Sequence, residues 1–260
     1  MNLKAADPAL VEVVLSDHES LSDRRRALNL LGLAPDLPIR VAAIAVSNRC
    51  DAGAEALRLA ACGSSGRSVR IAVIGKLAAM LYQQDEEISS PARDMCKVLS
   101  GPSWPVDRSV RVGVGASRRT AEAHESWEQA RLALRFATPP TGGPPTYPVR
   151  AVVAYDALGV FAVLAKIPME DLRNHRDMSA LRALANTGDG VKYIEALQAF
   201  CSTGTLRSAA EELYLHHSTV ADRLARAEAV LGWDVDDSAG RLRAQLALCA
   251  RRLSESPPWS

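Results

Sequence analysis

The apolar residues of this 260-residue chain change their rhythm once, near Asp156, and that change sets the limits on its fold. Before it, they come in short runs bounded by turn signals. After it, they recur at three- and four-residue steps to the end. Runs of four to eight residues read as strands and the 3.6-residue period as helices. The first part therefore predicts an α/β layer and the second an all-α domain.

In the first part, residues 8–31 predict a helical lead carrying Arg24-Arg25-Arg26, which reads as a solvated helix face. Residues 39–46 predict a buried strand and 53–61 a helix. Residues 69–74 and 77–82 flank Gly75-Lys76, a hairpin signal. Residues 85–99 predict a helix, 109–114 a strand, 120–136 a strong helix and 151–154 a short strand. One antiparallel hairpin is expected, with helices over one face. Two breaks interrupt the chain. One is Thr138–Pro148, rich in Pro, Gly and Thr; the other is the turn-like stretch 186–190. Further helices are predicted at 157–166, 178–185, 191–202, 206–213, 217–231 and 238–253. The domains expected are a lead at 1–38, an α/β domain at 39–167 and a helical domain at 168–260.

Residues 205–231 carry the function. Thr205 can cap a first helix through its hydroxyl. Leu206, Ala209, Ala210 and Leu213 form an apolar stripe whose two alanines let another helix cross closely. Tyr214-Leu215 is a break, with Leu215 set to plug the corner. Val220, Leu224, Ala227 and Leu231 then step by four, three and four. Two helices joined by a short turn in this way place the second helix in the major groove of DNA, N-terminal residues first. His217, Ser218, Ala221 and Asp222 would face the bases, with Arg223 and Arg226 nearer the backbone. Thr219 and the helix N-terminus would meet a phosphate. The candidate DNA-binding residues are thus Thr205, Arg207, His216, His217, Ser218, Thr219, Asp222, Arg223 and Arg226.

Charge does not add to this reading. The whole chain is +1, and residues 191–253 hold eight Lys/Arg against eight Asp/Glu. Double-stranded DNA is the expected partner, through a homo-oligomer, because one short helix seldom reads enough sequence. The alternative is a protein-interaction module of the same fold that has lost tight DNA binding. No window approaches the roughly 18 apolar residues of a membrane span. Five scattered cysteines without a CxxC pair read as reduced thiols. A soluble, cytoplasmic chain without cofactor or metal is expected.

Residues 191–253 resemble the C-terminal DNA-binding domain of the PucR/CdaR family of bacterial regulators. The resemblance rests on Leu213-Tyr214-Leu215-His216, Thr219, Arg223-Leu224, Gly232, Asp236-Asp237, Arg241-Leu242 and Gln245–Leu248. Residues 110–137 are similar to the strand-plus-helix signature of that family's degenerate diguanylate-cyclase-like (GGDEF-like) domain. Tyr155–Gly159 resembles its link into the helical part. The resemblance implies a non-catalytic GGDEF-like domain followed by a helix-turn-helix. It also implies basic or aromatic residues where this chain has His217, Ala221 and Asp222, and a sensor domain where only the lead precedes residue 39.

Catalytic readings fail on particular residues. A working cyclase needs metal-holding acids at the hairpin, which here reads Ile74-Gly75-Lys76-Leu77, and strand 39–46 has no Asp. Gly75-Lys76 lacks the earlier Gly and following Ser/Thr of a phosphate loop. Gly63–Gly66 lacks the spacing of a nucleophile elbow and reads as a loop. Gly113-Val114-Gly115 reads as a strand end. Trp104, Trp127 and Trp233 read as packing residues and Trp259 as part of a frayed tail. The adjacent His216 and His217 cannot share a helix face as metal ligands do, so capping or DNA contact is expected of them.

Overall fold

The computed structural model describes residues 2–46, 50–62, 68–83, 90–101, 104, 109–138 and 151–255. The expected loop at 63–66, most of the break at 138–148, the first residues of the 85–99 helix and Trp259 lie outside them. The described residues divide into two compact units, 2–138 with 151–163, and 164–255.

The first unit is built on a mixed sheet. Its elements are β1 (Asn2–Ala5), α1 (Pro8–Leu15), α2 (Leu21–Leu30), β2 (Pro38–Val46), α3 (Ala52–Ala61), β3 (Ser68–Ile74) and β4 (Leu77–Gln83). There follow α4 (Pro91–Leu99), β5 (Val110–Val114), β6 (Arg118–Arg119), a 3₁₀ turn (Thr120–Glu122), α5 (Ala123–Leu134) and β7 (Val152–Ala154). The strand order is β1-β3-β4-β2-β5-β7, with β6 also on β2. β3, β4, β2 and β5 pair antiparallel, and β1 and β7 add parallel edges. The hairpin register joins Ile74 to Leu77, and Gly75 takes a positive φ of 59° in the two-residue turn. That is the conformation such tight turns require of their first residue.

Helices cover both faces of the sheet, where one covered face was expected. Ala42 and Ile44 of β2 and Met80 of β4 pack with Leu59 of α3 and Met95 of α4. The residues of opposite parity, Val41, Ala43 and Ala79, are buried too. α5 lies on that second face, and α1 packs against α5 and β3. The physical reason is legible in β2 and β4: residues of both parities are apolar, as in strands enclosed on both sides. Gly113 is where α5 touches β5, since a Cβ there would stand 2.0 Å from the Ala130 carbonyl oxygen. The Gly-Val-Gly run is thus a helix-packing site as well as a strand end. Ser126 of α5 accepts the Val41 N–H at 2.9 Å and donates to the Ala116 carbonyl at 2.8 Å.

The expected helical lead also differs. Asn2–Ala5 is a strand, paired with β3 from Asn2↔Ser68 to Ala5↔Ile71. Asp7 and Ser20 cap the two helices that follow.

The second unit is helical: α7 (Met169–Asn174), α8 (Arg176–Ala185), α9 (Gly190–Thr203), α10 (Leu206–Leu213), α11 (His217–Leu231) and α12 (Ser238–Glu255). The helix expected at 157–166 is reduced to a 3₁₀ turn at Tyr155–Ala157 and one turn, α6 (Phe161–Leu164), and α7 was not anticipated. Leu181, Leu184, Leu197, Phe200, Ala209, Val220 and Ala244 share one core.

Candidate nucleic-acid interface

α10 and α11 keep the bounds that periodicity predicts. Thr205 accepts the Ser208 N–H at 3.1 Å and caps α10. Ala209 and Ala210 are buried, so α9 and α11 both approach α10 closely. The turn is three residues, Tyr214 to His216. Leu215 packs against the core of the unit as a plug.

Tyr214 makes this turn possible in an unusual way. It has φ 55° and ψ 42°, the only positive φ outside glycine among the described residues. A left-handed tyrosine costs on the order of 1 kcal/mol. Its side chain gains little in return, because the residue is 93% exposed.

His216 then caps α11, with Nδ1 accepting the Ser218 N–H at 3.4 Å and lying 2.8 Å from the Ser218 hydroxyl. The His216 and His217 rings stand 4.1 Å apart, centroid to centroid. Val220, Leu224, Ala227 and Leu231 are buried, and each leucine contributes on the order of 2 kcal/mol by leaving water. On the other side, His217, Ser218, Asp222 and Arg226 are exposed, while Thr219, Ala221 and Arg223 are half-buried. Arg207 is exposed on α10 and pairs with Glu211 at 3.3 Å. One turn thus gathers Arg207, His216 and His217 around an open hollow of about 440 Å³.

The electrostatics of this face are mixed. Asp189, at the start of α9, is held below the usual carboxylate range by its hydrogen bond to Lys192, and further by Arg226 and Arg223. Both arginines therefore share their field with a carboxylate. Asp222 has no ion pair among the described residues.

Behind the face, residues that periodicity did not single out hold the helices in place. Arg243 of α12 grips Asp177 of α8 with two bonds, 2.8 and 2.6 Å, and lies 4.1 Å above the Trp233 ring. Arg241 donates to the carbonyls of Gly204 and Asp236 at 3.0 and 3.1 Å. Glu228 of α11 accepts the Val235 N–H at 2.8 Å; burial pushes its pKa up, and Asp234 and Asp236 add to that. Asp237 accepts the Gly240 N–H at 2.7 Å. The acidic turn and Arg241, which carry the family likeness, are thus engaged in structure. Burial pushes the Cys201 and Cys249 thiols up to about 11, which leaves them unreactive.

Residues 193–250 match the PucR C-terminal helix-turn-helix domain, and residues 16–136 match the GGDEF-like domain. The chain is a transcriptional regulator of the PucR/CdaR family. No curated protein matches it. Among solved structures, a regulator of polyketide synthase expression from Bifidobacterium adolescentis is 22% identical, covering 96% of this chain and 100% of its own, with a TM-score of 0.37. The PucR-type match spans α9 to α12 apart from their outer ends, so the family's helix-turn-helix is the α10–α11 pair with its two buttressing helices. No helix among the described residues is long and apolar enough to cross a membrane.

Proposed function

We propose that this regulator binds double-stranded DNA through the N-terminal half of α11, as a homo-oligomer in the cytoplasm, with the sheet unit as a non-catalytic scaffold for assembly or signal transfer. The division of α11 carries the reading. Its aliphatic side is buried, and its N-terminal turns present His217, Ser218 and Asp222 to solvent. In this reading those side chains and Ala221 meet base edges, with Asp222 accepting from a cytosine amino group. Arg223 and Arg226 meet the phosphate backbone, Thr219 and the α11 N-terminus meet a further phosphate, and Thr205, Arg207 and His216 flank the groove.

Mobility-shift titration of promoter fragments with the purified chain at two salt concentrations tests it. A shifted species at low salt that weakens at high salt is expected. Absence of any shifted species at low salt overturns the proposal. Arg226→Ala should weaken binding evenly across sequences and lower the salt slope by about 1. Changes at His217 or Ser218 should alter site preference.

One observation favours a second reading, a protein-interaction module of the same fold. Asp222 stands exposed in the middle of the face, where it repels phosphate. Asp222→Asn separates the two. It shifts base preference at the contacted position if the face reads a duplex, and leaves an inert chain inert if the face meets protein.

A further inference from the structure

The sheet unit contains a half-open cavity of about 1160 Å³ between α2, the segment before β2 and the corner from β6 to α5. Its walls combine apolar side chains, Leu21, Leu28, Leu37 and Pro38, with four arginines, Arg24, Arg25, Arg118 and Arg119. Two of these arginines are committed. Arg118 pairs with Glu125 at 3.1 Å, and Arg119 pairs with Glu122.

The other two are not. Among the described residues, Arg24 bonds only to His124 Nδ1, a neutral partner, and its Nε is buried with no acceptor. Burial, and then the charge of Arg24, keep the His124 pKa below its ordinary value. The neutral ring accepts from Arg24 at Nδ1, which leaves its Nε2 as a donor. Arg25 is exposed and makes no hydrogen bond or ion pair among the described residues. Asp36 and Glu122 are the carboxylates of the lining, and Glu122 is already paired.

The rim is held in shape before any ligand arrives. Gln83, buried at the end of β4, accepts the Ala34 N–H at 2.8 Å and donates to the Ala34 carbonyl at 2.6 Å. It also donates to Thr120 Oγ1 at 2.9 Å, and Thr120 bonds the Leu37 carbonyl. The stretch that lines the cavity is therefore pinned to the sheet, and a pre-formed concavity loses less on binding.

We propose that this cavity binds a small organic anion, an oxyanion head on an apolar body. Guanidinium groups without a carboxylate partner recognise planar or tetrahedral oxyanions through paired N–H donors. The leucine and proline walls take the rest of the molecule. The proposal concerns the sheet unit and does not depend on DNA binding by α11.

Calorimetric titration of the full chain with benzoate, phenyl phosphate, acetate and benzylamine tests it. Benzoate or phenyl phosphate binds, which also tells a carboxylate from a phosphate site, and acetate binds more weakly than either. Benzylamine, the same ring with a positive charge, does not bind. Arg24→Met and Arg25→Gln each weaken the anion by about tenfold or more, the scale of a charged hydrogen bond. Arg25 is exposed and has no hydrogen bond or ion pair to lose among the described residues, so its variant reads out the site even if Arg24→Met fails to fold. Failure of both aromatic anions to bind, equal binding of acetate or benzylamine, or unchanged affinity in Arg25→Gln overturns the proposal.

Discussion

The sheet unit and the helical unit hold their elements by different means. In the first, β2 and β4 are buried on both sides, and α5 sits directly on the backbone of β5 at Gly113. Apolar contact and close approach dominate there, with Ser126 and Gln83 adding buried polar ties. In the second, each helix has one buried side, and polar side chains at the helix ends fasten it: Arg243 to Asp177, Arg241 to Gly204, Glu228 to Val235. The difference teaches that α11 is oriented by groups behind it. The residues on its exposed side carry little structural duty, with His216 the exception because it caps the helix.

The sharpest way to break the sheet side of this comparison is Gly113→Val. The added side chain meets the backbone of α5, and a loss of about 3 kcal/mol or more is expected in urea unfolding followed by tryptophan fluorescence. In the helical unit, Leu224→Ala removes a core side chain without adding a clash. It should cost about 2–4 kcal/mol, read as a lower thermal midpoint.

A third test uses acid. Hydrogen bonds from Arg243 hold the Asp177 carboxyl below its usual pKa. Its folded value lies under its unfolded one, so its stabilisation is complete above about pH 4 and vanishes as pH falls through the folded value. Asp177→Asn should be less stable than the parent at pH 7, and the gap should close as pH falls through the folded Asp177 value. A gap independent of pH would show that the clamp acts through packing on Trp233 instead. The smallest effect is expected at Tyr214→Gly, which relieves the left-handed strain and should stabilise the chain by about 0.5–1 kcal/mol. If DNA binding falls in the same variant, the exposed ring contacts the duplex.

What the sequence allows a reader to see follows from range. α10 and α11 are legible to the residue because Thr205, the alanine pair and the Val220–Leu231 stripe are all local signals. β1 is not, because its four residues become a strand only through partners more than sixty positions away. β6 is two arginines with no period at all. The two-sided cover of the sheet is present in the unbroken apolar run 41–46 of β2, where residues of both parities are apolar. The exposed candidates on α11 follow from helical spacing. The Asp177–Arg243 clamp does not, since it joins charges 66 residues apart that look like ordinary solvated ones.

The split of α11 into a buried and an exposed side has a practical consequence for engineering. Positions 217, 218, 221 and 222 can be randomised as a block, leaving Val220, Leu224 and Ala227 untouched between and after them. If α11 reads DNA as proposed, a library of that kind samples new operators. Under that proposal the helix would serve as an interchangeable cartridge, in which a new operator needs no redesign of the core beneath it.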